Sequence, residues 1–513
     1  MLLRLATTRW TARGRSLSTM GGVSPGIRAA VDEFERKKGG FRADHTHRVS
    51  TRHIFANNQL RLEQIDVVGF DYDYTLCHYT VELQRLIYDM AKHTLVERYR
   101  YPDGLLALQF DPSFAIRGLA IDSEKALLCK ISSHQKLSYT GVFRGRQRLS
   151  KAEILQLYDG SRHIPILYRD RTMKPLNDLF SVAHACLFAD VIQFFMDKSI
   201  TFEPRAVHED MDAAIADVHT SGRMHKAVVK NLPKYMEPNK KLRTLLERYT
   251  DEGEKLFVLT NSSFRYIDAG LKYMVGDDWR KFFEITLVSA KKPDFYTRYR
   301  TFRLFDVDQR QVQWQAVTRL EPNCVYTQGS LRQLIMLKGW GGRRVLYIGD
   351  SLFSDLVEPN RILGWRTGAI IRELETEISI QSSDAYQALA YEHALVEDLL
   401  RHMQRHLYND QYDENIALYN EYIAVHSLLQ ERMEALINPN FGSVFRVESH
   451  PSQFAFSAQR SATEMTLRTP IRFCSYVDVY SSRLKNLLEY PKTYTFFPER
   501  TRLPHDPTLQ APR

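Results

Sequence analysis

The chain has 513 residues, 44% of them apolar and 12% aromatic, which excludes a largely disordered protein and leaves room for two or three domains. Its formal charge of +9 points towards nucleic acid or membrane surfaces, yet twelve Lys and Arg against four acids fall within residues 1–61. The remainder is close to neutral, so no basic groove is expected along the folded body and no nucleic-acid partner is read.

The basic leader comes first. Met1 to Ala30 carries Arg4, Arg9, Arg13, Arg15 and Arg28, several Ser and Thr, and no acid. That composition is that of a mitochondrial transit peptide, with a plain disordered basic arm as the alternative. Residues 1–40 are taken as leader and a mitochondrial location is expected. No apolar run further on reaches the roughly 18–20 residues of a membrane span. The five scattered cysteines, Cys77, Cys129, Cys186, Cys324 and Cys474, form no CxxC pair, which argues against a disulfide framework or a zinc site.

Short apolar runs that end in polar residues predict parallel strands at Ile65 to Phe70, Lys255 to Thr260, Glu284 to Ser289 and Arg344 to Ile348, with a fifth at Trp365 to Ile371. Separated by helix-length stretches, they predict an α/β fold: a doubly wound parallel sheet whose ligands bind beyond the carboxyl ends of the strands. Asp71 and Thr260 stand 189 positions apart, far beyond the dozen or so residues of a crossover. An inserted α+β cap is therefore placed at 90–240, with strands at Gly118 to Asp122 and Ala126 to Ile131 and helices at Ala183 to Asp197 and Met211 to His219. The core takes 41–89 and 241–375. Residues 376–513 form a C-terminal extension, beginning with two long helices read from apolar periodicity over 380–437.

Each strand end carries chemistry. Asp71 and Asp73 follow the first strand in Asp71-Tyr72-Asp73-Tyr74-Thr75, where alternation sends both carboxylates to one side. A buried carboxylate pair repels itself unless a cation or a shared proton compensates. Thr260-Asn261-Ser262-Ser263 supplies a hydroxyl, an amide and backbone donors suited to phosphate oxygens. Lys291-Lys292-Pro293 supplies ammonium groups, and Asp350 with Asp355 supplies two more carboxylates. Hard oxygen donors of this kind suit magnesium. Each cluster alone is explained by helix caps or solvated loops; four of them, in order and all at strand ends, are not.

That order of motifs resembles the haloacid dehalogenase superfamily. The stretches IDVVGFDYDYTL (65–76), LFVLTNSSFRY (256–266), KKPDFYT (291–297), VLYIGDSLFSDL (345–356) and GWRTGAIIREL (364–374) resemble the 5′-nucleotidases and the 5′-nucleotidase domain-containing proteins. The resemblance implies Asp71 as nucleophile and Asp73 as general acid and base. It implies phosphate contacts from Thr260, Asn261 and Lys292. It further implies a magnesium ion held by Asp71, Asp350 and the backbone carbonyl of Asp73, with Asp355 ordering its surroundings. The expected substrate is a nucleoside monophosphate or another small phosphate ester, and a homo-oligomer is expected by analogy.

The cap departs from the family pattern. Around Val218-His219, the positions at which the purine-specific relatives read the base hold Asp212, Ala216 and His225, with Asp217 and Arg223 nearby. A purine preference does not carry over, and His219 reads as a packed cap histidine ahead of a ligand contact. The alternative function is a catalytically weak binding or regulatory protein on a phosphatase fold.

Overall fold

The computed structural model describes residues 23–38, 40–41, 48–407, 412–457 and 476–498. Its centre is a ten-stranded sheet with six parallel strands in the middle: β1 (Val67–Phe70), β2 (Lys255–Leu259), β3 (Ile285–Val288), β4 (Cys324–Gln328), β5 (Val345–Gly349) and β6 (Arg366–Ile370). Their order across the sheet is β6-β5-β1-β2-β3-β4. All four residues of β1 are buried, as an apolar strand covered on both faces must be. Gly69 belongs there because a Cβ would lie 2.1 Å from the Phe257 ring of the neighbouring strand.

Register decides where the site forms. Ile348 pairs with Phe70, Phe70 with Val258, and Leu259 with Leu287, so β5, β1, β2 and β3 end almost level. Neighbouring strands lie about 4.8 Å apart, so side chains just past those ends converge without any long reach.

All five predicted core strands are present, four of them shortened by one or two residues and the fifth, Val345–Gly349, displaced by one position. Four further pieces of the sheet were not read. They are β4, the antiparallel pair Phe302–Asp306 and Gln311–Val312, the edge strand Phe55–Ala56, and the strand Val479–Ser481, which pairs parallel with β6 and antiparallel with Phe55–Ala56. The last of these threads the C-terminal tail into the core sheet.

The insertion leaves and returns through two adjacent strands of chain. Thr80 N–H donates to Tyr235 O (2.9 Å) and Glu237 N–H to His78 O (2.9 Å), either side of the Tyr79–Met236 bridge. Between these points stand a five-stranded antiparallel sheet built from residues 119–176 and the helices α1 (Val81–Tyr99), α2 (Ser181–Asp197) and α3 (Pro204–Thr220). The helix α1 packs on α2 and α3, so the whole of it belongs with the cap although the sequence reading gave its first half to the core.

The two long helices of the extension are α4 (Asp384–Gln404) and α5 (Tyr412–Ile437), packed antiparallel as a hairpin. Against it lies the N-terminal helix Pro25–Lys37, whose Ile27, Val31 and Phe34 are buried with Val396, Leu399, Leu400 and Met403. Burial of each such side chain contributes roughly 1.5–3 kcal/mol. Residues 25–37, counted as leader from composition, are thus a packed part of the fold. The arginine-rich residues 1–22 lie outside the described residues. Among the described residues no helix is long and apolar enough to cross a membrane.

Candidate active site

Asp71 is the first residue past β1, and its N–H donates to Ile348 O (2.9 Å) on β5, which anchors it between two strand ends. Its carboxylate, with those of Asp350 and Asp355, offers oxygens all within 4.8 Å of one another, and all three residues are buried. Lys292 Nζ lies 2.8 Å from Asp71 Oδ1 and 2.5 Å from Asp355 Oδ1, and donates to the Tyr347 hydroxyl at 3.2 Å. That hydroxyl in turn donates to Leu259 O (3.0 Å), so the lysine is held by a partner fixed across two strands.

Three acids share this pocket with a single ammonium. Burial, then the charges of Asp355 and Asp71, push the Asp350 carboxyl well above its usual range. Burial works against the charge on Lys292, yet Asp355 and Asp71 outweigh it and hold its affinity for a proton up. Asp355 is raised by burial although Lys292 opposes this. In that pair the charged lysine is the firm member, since it touches two carboxylates; the raised acids express a surplus of negative charge. An all-oxygen donor set with uncompensated charge fits a hard divalent cation.

Asp73 faces elsewhere. Its two oxygens accept from the Tyr79 hydroxyl (2.5 Å) and the Ser262 hydroxyl (2.7 Å), outside the acidic trio. Burial and the neighbouring Asp71 raise its carboxyl to about 6, against the two hydrogen bonds. A group of that affinity exchanges its proton near neutral pH.

Thr260 is fully buried past β2, with Oγ1 accepting from Ser262 N–H (3.1 Å). Asn261 Oδ1 accepts from Lys292 N–H (2.6 Å) and its Nδ2 donates to Lys292 O (3.1 Å), so the amide clamps the lysine segment. Sequence shows the amide but not the backbone that occupies it. On the fourth loop, a Cβ on Gly349 would sit 2.6 Å from that of Asp355, so only glycine lets this acid fold back over the strand end.

Four contributors were missed: Tyr79, Ser262, Tyr347 and Arg117. Ser262 stood inside a string already singled out, and Tyr347 inside a predicted strand. Arg117 gave no signal. Its side chain is wholly buried, forms a bidentate pair with Glu373 (2.7 and 2.6 Å), reaches Asp350 O at 3.5 Å and lies 4.5 Å over the Phe454 ring. It ties cap, core and tail together behind Asp350.

On the cap side, Phe180 packs on Tyr74 (4.9 Å between ring centres) and on His219 (5.4 Å), while burial keeps His219 below its usual proton affinity. The histidine is packed, as the sequence suggested. Asp212 pairs with Lys174 (2.7 Å), Asp217 with Arg223, and His225 stacks edge-on to Tyr266.

Comparison with known proteins agrees with this geometry. The model of the 5′ nucleotidase family matches residues 54–508. A 5′-nucleotidase domain-containing protein of Dictyostelium discoideum is 37% identical over 480 residues, covering 90% of this chain and 76% of its own. The 5′-nucleotidase domain-containing protein 2 of Homo sapiens is 37% identical, covering 89% and 85%, and that of Rattus norvegicus is 36% identical, covering 89% and 80%. With the family model spanning most of the chain and the acids, hydroxyl and lysine gathered at one sheet edge, the chain belongs to the 5′ nucleotidase family, a family of phosphoric monoester hydrolases.

Proposed function

We propose that the chain is a magnesium-dependent phosphomonoester hydrolase acting on nucleoside monophosphates or related small phosphate esters through an aspartyl-phosphate. The observation that carries this reading is the acidic trio with a single buried lysine, beside an acid held apart by Tyr79 and Ser262.

In the first step an oxygen of Asp71 forms a bond to phosphorus as the ester P–O bond breaks, and Asp73 gives its proton to the departing alkoxide. In the second, Asp73 takes a proton from water, whose oxygen attacks phosphorus and frees Asp71 and inorganic phosphate. Lys292 and the Thr260 hydroxyl hold the non-bridging oxygens, with Asn261 and Tyr347 keeping Lys292 in place. A cation held by Asp71, Asp350 and the Asp73 carbonyl would neutralise charge on the phosphoryl oxygens, with Asp355 orienting its surroundings.

The test is phosphate release from a panel of nucleoside monophosphates and small phosphate esters, with magnesium or with chelator. Magnesium-dependent release confined to one substrate class supports the proposal. A second reading, a catalytically weak binding or regulatory protein, draws on the cap, where Asp212 is engaged by Lys174 and Asp217 by Arg223. Silence across the panel favours that reading and rejects the first.

A further inference from the structure

A second group of ligating side chains stands apart from the strand ends, in the helical hairpin. His393 and Glu397 lie one turn apart on α4 and share a face; His426 comes from the facing side of α5. One ligand atom from each lies within 4.8 Å of the others. The two imidazole rings are 4.2 Å apart at their centres, and His426 Nε2 is 3.4 Å from Glu397 Oε1.

Two features separate this group from an ordinary polar contact. His393 Nε2 is shielded from solvent and has no hydrogen-bond partner among the described residues, a costly state for a ring nitrogen. Two imidazoles that face each other across a helix pair also avoid carrying charge together. Burial and the facing His426 ring both disfavour a proton on His393. The remaining Glu397 oxygen meets only Arg401, at 3.3 Å, in a largely exposed pair that competes weakly.

We propose that His393, Glu397 and His426 bind a zinc-class divalent ion, with the fourth position open to water. Two neutral imidazoles and one carboxylate are a tetrahedral donor set of zinc sites with an open position. Nitrogen donors disfavour magnesium, which separates this site from the all-oxygen trio around Asp71. All three residues are half-buried, so the ion has a way in. Bound there, it cross-links α4 and α5 beside Val396, Leu399 and Leu400, which also hold the N-terminal helix. The ion is thus a clip for the three-helix unit. The sequence reading, which looked to cysteines, expected no zinc site; an i, i+4 His and Glu pair completed from a second helix is invisible to that count.

The test uses the full chain stripped of metal and kept in excess magnesium to fill the oxygen site. Titration with Co2+ is expected to give one equivalent of four-coordinate cobalt, seen as strong visible absorption and bleached by one equivalent of Zn2+. The double variant His393→Gln/His426→Gln is expected to lose this signal while keeping its circular dichroism spectrum, and Glu397→Gln to weaken zinc binding by more than about tenfold. Zinc should raise the melting midpoint of the wild-type chain and not of the double variant. A wild-type chain that gives no four-coordinate cobalt spectrum overturns the proposal without reference to any variant. So does a strong near-ultraviolet sulfur-to-cobalt band, which marks a cysteine site, or zinc affinity unchanged in the folded double variant.

Discussion

The strand ends and the cap surface that leans on them are both rich in charge, but they balance it differently. Past β1 and β5 three buried acids share one lysine, whereas in the cap Asp212 has Lys174 and Asp217 has Arg223. A region with surplus negative charge is built to take up a cation and the phosphate that comes with it. A region whose charges are paired among themselves has little left with which to read a substrate. On the proposed reading the core sets the reaction, and the cap meets it where Phe180 packs on Tyr74 of the core and on His219.

Substitutions can break or sharpen this contrast. Asp71→Asn removes the nucleophile with little change of shape; turnover should fall by at least about 10³-fold with circular dichroism unchanged. A variant that keeps turnover ends the contrast at once. Arg117→Met leaves Glu373 without its bidentate partner behind Asp350. Stripping one side of such a buried pair costs about 3 kcal/mol, to be read as a lower denaturant midpoint.

Gly349→Ala forces Asp355 aside, since the new methyl would lie 2.6 Å from its Cβ. A displacement on that scale should cost about 10²-fold in kcat/KM. Glu237 probes the joint between cap and core. Burial opposes its ionisation, but Arg372 and Arg483 bring its carboxyl down to about 2. Its contribution is present above the ordinary value of 4.5 and is lost as pH falls from there towards 2. Discounted for partial exposure, it amounts to about 1–2 kcal/mol. Glu237→Gln should lose that contribution at neutral pH, flatten the stability profile over the acid window and converge on the wild type near pH 2. Asp212→Asn should change turnover by no more than about twofold, because Asp212 serves its own ion pair.

What could be read in advance follows from where chemistry and periodicity coincide. Buried parallel strands are uninterrupted apolar runs, so Val67 to Phe70 and Val345 to Ile348 were legible, and the acids at their ends with them. The strand Val479–Ser481 was not, because three residues carry no periodicity and its partner β6 lies more than a hundred positions away. Arg117 was hidden for a related reason: its partners Asp350, Glu373 and Phe454 come from three distant segments. For Asn261 the residue was found but not its clamp on the Lys292 backbone, since backbone contacts leave no trace in a motif. The helix Pro25–Lys37 shows the opposite failure. Ile27, Val31 and Phe34 follow helical spacing, and overall charge was allowed to outweigh that pattern.

The proposed reaction turns on a bond between Asp71 and phosphorus. Acid quenching during turnover, followed by mass analysis of the peptide that contains Asp71, tests it directly. A phosphoryl group on Asp71 is expected in the wild-type chain with magnesium present, and none after chelation. Steady release of phosphate with Asp71 unmodified at every quench time would contradict it.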